Sequence, residues 1–187
     1  MIYEFGGKVP KIGKGSYVND SAEIIGNVSI GEDCFVAPGA KLRGDYGAIK
    51  IGSKTSVQDN CILHARPESE CTVGNYVTLG HGCILHTCRI KDYAVIGMGA
   101  IISDFAIVGE WCAVGEGAVV KSNQEIPDGK IAVGIPAKII GDVTEEYRQL
   151  WLKLKNEYVE LTKRYNLELK KIKSSEINYG KTALETK

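Results

Sequence analysis

An aliphatic residue recurs every six positions along most of this chain, usually with glycine or a small polar residue close behind it. The ladder runs Ile12, Val18, Ile24, Ile30, Val36, Leu42, resumes at Ile51 and Val57 and again at Val73 and Leu79. It then continues as Ile90, Ile96, Ile102, Val108, Val114 and Val120. The fifth place of each hexad holds a short side chain: Ser16, Ala22, Val28, Cys34, Ala40, Thr55, Cys61, Val77, Cys83, Ala94, Ala100, Ala106, Cys112 and Ala118. A helix needs a period of 3.6, which this ladder lacks. It fits a three-sided coil in which each hexad supplies one short strand and one corner, so three hexads close a turn. The aliphatic residue points inward, and the short one sits where the corner tightens. Residues 12 to about 135 then form about seven coils, a prism ~33 Å tall at the ~4.8 Å spacing of paired strands.

Composition agrees with repetition: 22 Gly stand against 3 Phe and 2 Trp in 187 residues. The length is that of one domain. Lys and Arg total 23, as do Asp and Glu, a balance that speaks against nucleic acid or an anionic membrane as partner. No apolar run approaches the ~20 residues of a membrane helix. The opening Met1-Ile-Tyr-Glu-Phe-Gly-Gly-Lys8 lacks the basic head and apolar middle of a signal peptide, so the cytoplasm is the expected compartment. Cys34, Cys61, Cys83 and Cys112 occupy fifth places, Cys71 and Cys88 fall outside the strict ladder, and no CxxC pair exists. All six are expected to be reduced, structural thiols.

Beyond Gly134-Ile-Pro-Ala-Lys138 the period changes. Thr144 is placed to cap a helix that opens with Glu145 and Glu146. Tyr147, Leu150, Trp151, Leu154, Tyr158, Leu161 and Tyr165 then recur at intervals of three and four. The pattern predicts a coil domain over 1–143, a helix over 144–173 lying along the prism with this stripe buried, and a flexible polar tail over 174–187.

The three histidines are His64, His81 and His86. Ten residues separate Leu63 from Val73, four more than a hexad, so Arg66-Pro-Glu-Ser-Glu70 is expected to leave the coil at a corner. Taking those four from the 22-residue separation of His64 and His86 leaves 18, one full coil. The two side chains should therefore stack ~5 Å apart at the backbone. His81 lies about one face away, and a threefold axis would bring it from one subunit toward His64 and His86 of the next. Plain surface histidines would account for one such residue less awkwardly than for three so clustered. Three imidazoles plus water compose an open catalytic zinc site, and neutral imidazole also takes other first-row ions such as Fe2+ or Co2+.

The segments Leu42-Arg-Gly-Asp45, Val57-Gln-Asp-Asn-Cys-Ile-Leu-His64, Gly80-His81 and Leu85-His86, with Ile96-Gly-Met-Gly-Ala100 and Gly134-Ile-Pro-Ala-Lys138, resemble the γ-class carbonic anhydrase family. The resemblance implies an all-β, left-handed parallel β-helix of hexapeptide repeats with a long C-terminal helix packed along it. It implies a homotrimer holding zinc between subunits, on His64 and His86 of one and His81 of its neighbour. The implied activity is that of a lyase, zinc hydroxide attacking CO2 to give bicarbonate. Gln58 would orient the nucleophile, Arg43 and Asp59 would form a pair bridging subunits, and Asp45 would belong to a nearby acidic network. These residue types also have plainer uses, since Gly44-Asp45 makes a good turn and Arg–Asp pairs often contribute little.

Two departures bear on activity. Well-characterised relatives in that family carry a longer acidic loop after the first His with a proton-shuttling Glu; here Glu68 and Glu70 have no positional match. Ser56 stands where an Asn commonly precedes the Gln by two. CO2 hydration exports a proton each turnover, so a poor shuttle slows it. Short members of the family also include proteins of CoA-ester metabolism, which makes an acyl-CoA thioesterase or acyltransferase on the same trimeric scaffold the second reading. Its simplest transferase form uses one His as general base and leaves two unexplained. A metal-binding scaffold without activity is the third.

Overall fold

A computed structural model describes residues 1–173 and Glu176. Short parallel strands, most of them two residues long, stack into a solenoid of about seven turns followed by one helix. The ladder makes the interior: Ile24, Val36, Leu42, Val57, Leu79, Ile96, Ile102, Val108 and Val120 are fully buried. Leu63 and Leu85 fill the same interior on the two coils where the ladder is interrupted. The first two rungs depart, with Ile12 37 % exposed and Val18 half-buried, because the terminal coil is covered from one side. Fifth-place side chains stack in columns at the corners, and Ala22, Ala40, Cys61, Cys83, Ala100 and Ala118 have no accessible surface. All six cysteines are free and buried. Cys71 and Cys88, outside the strict ladder, meet at a corner with sulfurs 3.9 Å apart.

The three faces of the prism differ in what they present. One is built from Tyr17–Val18, Phe35–Val36, Ser56–Val57, Thr78–Leu79, Val95–Ile96 and Ala113–Val114. Its outward residues Tyr17, Phe35, Ser56, Thr78, Val95 and Ala113 are buried because the helix lies on them. The second comprises the start of Lys41–Ile51, then Ile62–His64, Ile84–His86, Ile101–Ile102 and Val119–Val120. It leaves Ile62, Ile84 and Ile101 exposed. The third, with Glu70–Val73, Arg89–Ile90, Ile107–Val108 and Glu125–Ile126, turns Thr72, Arg89 and Glu125 outward. Strand Lys41–Ile51 runs across two faces, pairing first with Ile62–His64 and then with Glu70–Val73.

One corner carries an unforeseen device. Left-handed backbone positions fall not only to Gly and Asn but to Tyr76, Tyr93 and Trp111, with φ of 51, 59 and 55°. Their rings stack at 5.3 and 4.6 Å, close to the coil spacing, and Lys54 and Arg148 close the ends of the stack over Tyr76 and Trp111. Ring stacking offsets a conformation that costs roughly 1–2 kcal/mol per residue.

The helix spans Glu145–Glu168, with the Thr144 side chain accepting from the Tyr147 N–H at 3.2 Å. It ends short of the predicted Lys173, Leu169 already being extended. Tyr165 is its last aromatic contact, at 5.0 Å from both Tyr17 and Phe35 on the first coils; beyond it Leu167 and Leu169 face solvent. The predicted stripe faces the prism, Tyr158, Leu161 and Tyr165 packing against Tyr17 and Phe35, but the most deeply buried line runs beside it. Lys155 and Thr162 are the buried helical residues, whereas Leu150 is 55 % exposed. The outward residues below them, Ser56, Thr78 and Val95, are short enough to admit a lysine stem. The Lys155 ammonium donates to Thr78 Oγ1 and to the Ala94 carbonyl, each at 3.1 Å, and burial pushes its pKa down to about 7. The expectation of a flexible tail over 174–187 lies outside the described residues apart from Glu176. Among the described residues no helix is long and apolar enough to cross a membrane.

Candidate functional site

The coil arithmetic holds where it matters. His64 and His86 are register partners at the ends of adjacent parallel strands, with ring centroids 5.2 Å apart. His64 Nδ1 stands 3.1 Å from His86 Nε2. Each outer nitrogen meets a carboxylate: His64 Nε2 lies 2.9 Å from Asp45 Oδ1, and His86 Nδ1 lies 2.5 Å from Asp104 Oδ1. Each carboxylate gives its second oxygen to an arginine. Arg43 Nη1 donates to Asp45 Oδ2 at 2.5 Å, and Arg66 donates from Nε and Nη2 to Asp104 Oδ2 at 2.9 and 2.7 Å. Burial works against the Asp45 carboxylate, but the hydrogen bonds from Arg43 and His64 outweigh it and hold its pKa below the ordinary value. Asp104 is likewise lowered, by Arg66 first, against burial, and by His86.

An ionised carboxylate can only accept, so it takes the ring N–H of the histidine it faces. With both rings neutral, the two nitrogens that face each other, 3.1 Å apart, are both lone-pair donors. Such a pair is repulsive without a cation or a proton between its members. Two nitrogens on one tetrahedral zinc, each at ~2.05 Å, would stand about 3.3 Å apart, so the donor set and its spacing fit a divalent ion. A carboxylate behind each ring is the usual support of a metal-binding imidazole.

Local sequence explains how these groups meet. Arg43 is the register partner of His64. Gly44, expected as part of a turn, lies inside the strand; a Cβ there would come 2.5 Å from the Asn27 carbonyl oxygen. Its role is close approach, which lets the strand carry Asp45 past the corner beside His64. The Arg66–Glu70 excursion is pinned back by its own first residue, whose N–H donates to Thr87 Oγ1 at 2.8 Å.

The remaining sequence-predicted residues gather at another corner, at the edge of the helix-covered face. His81 Nδ1 lies 2.8 Å from Asp59 Oδ2, and the His81 side chain is 49 % exposed. Gln58 is only 6 % exposed and meets the Tyr158 hydroxyl on the helix; burial first, and the Asp59 charge next, raise that phenol's pKa in spite of Gln58. One chain therefore brings together Arg43, Asp45, His64 and His86, and separately Gln58, Asp59 and His81. Among the described residues no three His, Cys, Asp or Glu side chains converge as a complete ligand set. Asp104 and Arg66 were not foreseen. Asp104 follows His86 by 18 residues, the same one-coil step that aligned His86 with His64, and that interval was its only signal.

Residues 10–44 match the family model described as bacterial transferase hexapeptide (six repeats). The carnitine operon protein CaiE of Proteus sp. is 35% identical over 164 residues, 87% of this chain and 83% of its own length. A carbonic anhydrase of Geobacillus kaustophilus is 37% identical over 160 residues, 86% of this chain and 88% of its own. The crystal structure of a hexapeptide transferase family protein from Anaplasma phagocytophilum superposes with a TM-score of 0.85 at 32% identity, covering 88% of this chain and 98% of that one.

Proposed function

This chain belongs to the γ-carbonic-anhydrase-like family of hexapeptide-repeat proteins, and from that premise we propose that it is a zinc-dependent hydratase of CO2 working as a homotrimer. The observation that carries this reading is the facing pair of ring nitrogens on His64 and His86, 3.1 Å apart, which among the described residues has no third donor beside it while His81 stands half-exposed elsewhere. A threefold assembly would join the two corners, with His64 and His86 of one subunit and His81 of the next holding the ion. The exposed Ile62, Ile84 and Ile101 on the face that ends in His64 and His86 offer an apolar contact for such a neighbour.

His64 and His86 with a neighbour's His81 would hold a divalent ion, which would supply a nucleophile at neutral pH by acidifying water. The chain's residues do the rest. Asp45 and Asp59 hold the ring N–H groups of His64 and His81, leaving the other nitrogens free to bind. Gln58, steadied by Tyr158, presents an uncharged amide that can orient the nucleophile by a hydrogen bond without competing as a ligand. Arg43 and Asp59 sit on the two corners the assembly would bring together. The proton must leave past the excursion, where Glu70 pairs with Lys50 and Glu68 is exposed. A single, loosely placed carboxylate makes a slow shuttle. Six free, buried thiols fit a reducing compartment such as the cytoplasm.

The test is metal analysis joined to stopped-flow CO2 hydration on one preparation, with a panel of acyl-CoA esters assayed alongside. Stoichiometric zinc with hydration above buffer supports the proposal; zinc-loaded protein that is silent at every concentration of added imidazole sinks it. The second reading, an acyl-CoA thioesterase or acyltransferase, draws on a groove of about 1030 Å³ whose walls include Gln58, Trp151, Leu154, Tyr158 and Leu161. This apolar trough with a polar amide at its edge could seat an acyl chain, and turnover of the ester panel would favour it.

A further inference from the structure

We infer that Asp104, clamped by Arg66, is a positioning residue that fixes the tautomer and ring orientation of His86. The inference deepens the metal reading and rests on it for its affinity consequence. Its geometric content stands on the chain alone. Asp104 is 16 % exposed and takes three donors: Arg66 Nε and Nη2 on one oxygen, and His86 Nδ1 on the other. Two guanidinium bonds converging on one oxygen anchor that end of the carboxylate more firmly than one bond would. With that oxygen anchored, the other stands against His86 Nδ1, selects the Nδ1–H tautomer and leaves the Nε2 lone pair facing His64 Nδ1.

His64 is treated in mirror fashion. Its Nε2 faces Asp45, so it is held as the Nε2–H tautomer and offers Nδ1. Two Arg–Asp–His chains thus converge from opposite sides on one 3.1 Å gap. The two clamps differ in origin. Arg43 and Asp45 are two residues apart on one strand, whereas Arg66 and Asp104 are 38 apart. Arg66 opens the excursion, whose N–H is tied to Thr87 next to His86. The excursion, too short to match the acidic loop of other family members, here supplies the second clamp.

The experiment uses the full chain with Asp104→Ala, Asp104→Asn and Arg66→Ala, each checked for folding by melting temperature. Two readouts are taken: zinc affinity by competition with a chelator, and ring 15N shifts of His86 in metal-free protein. Wild type is expected to show His86 as the Nδ1–H form. Asp104→Ala is expected to move it toward Nε2–H and to weaken zinc binding by ~10- to 100-fold, the scale of losing such a support. Arg66→Ala should shift both readouts the same way by a few-fold, and Asp104→Asn, which keeps the acceptor shape, should fall between. If Asp104→Ala does not fold, the other two variants carry the same test. Unchanged His86 shifts overturn the inference, even where affinity falls, because charge alone would then explain the loss. Wild type that takes up no zinc defeats the metal reading, while the nitrogen shifts still decide the role of Asp104.

Discussion

The corner bearing His64 and His86 and the corner bearing His81 arise from the same repeat, yet they are finished to different degrees. At the first, two rings are each backed by a carboxylate, each carboxylate is held by an arginine, and the inner nitrogens stand 3.1 Å apart. At the second, one half-exposed ring has Asp59 behind it, and its neighbour Gln58 is buried under the helix. The difference teaches where each kind of order is needed. Two ligands on one chain can be prearranged at the register of a β-ladder, so their geometry is settled during folding. Under the proposed assembly, a third ligand reaching another subunit would gain from being presented outward.

The comparison is broken most directly by removing one proposed ligand from each corner. His86→Ala is expected to abolish bound zinc and CO2 hydration, since two imidazoles rarely retain zinc in a partly exposed site. His81→Ala should do the same while the trimer mass persists in light scattering. Full zinc occupancy in His81→Ala would mean that the exposed corner takes no part in the site. A smaller effect is expected from Gln58→Ala. Gln58 is assigned a hydrogen bond to the nucleophile, not a place on the metal, so zinc stoichiometry should stay intact while turnover drops by ~10- to 100-fold. Loss of zinc with Gln58 would show that its corner supports the metal structurally. Smaller again is the response to buffer: with no well-placed shuttle carboxylate, added imidazole should raise the hydration rate by several-fold at saturation, and a rate insensitive to imidazole would show that proton export is not limiting.

The first corner was the more legible of the two. An interval of six residues located the coil, and subtracting the four-residue excursion placed His86 over His64. That one-coil step also leads from His86 to Asp104, but Asp104 belongs to no motif, and only a map of the corners gives the step its meaning. Gly44 reads as a turn residue because glycine is permissive at turns; its actual duty, avoiding the Asn27 carbonyl, depends on a coil 17 residues earlier. The helix was legible as amphipathic, but not in which sector is most deeply buried on the prism. Periodicity marks Leu150 as part of the stripe, whereas the short outward side chains Ser56 and Thr78 draw in Lys155 and roll Leu150 outward. Such a choice lies in the partner surface, not in the helix.

That roll gives the smallest test, one that should touch the second corner's support and leave the first alone. Lys155 is folded in with a pKa of about 7, against ~10.4 for an unconstrained lysine. Between those values the unfolded chain binds more protons than the folded one, so this residue makes stability rise with pH. Its penalty is fully present below about pH 7 and has gone by about pH 10.4. Lys155→Met keeps the stem that packs on the helix-covered face and removes the charge. The Ala94 carbonyl keeps its bond from the Thr78 N–H at 3.0 Å, so no buried carbonyl is orphaned there. The variant should melt higher than wild type by a few degrees at pH 7, the scale of about 1–2 kcal/mol in a chain of this size. The gap should close as pH approaches 10.4. Zinc affinity should be unchanged within twofold, since Lys155 bonds to Thr78 and Ala94 and to none of the proposed ligands. A variant that melts lower at every pH would show that the two hydrogen bonds of Lys155 outweigh the cost of burying it, and that the helix is fastened by this lysine rather than docked in spite of it.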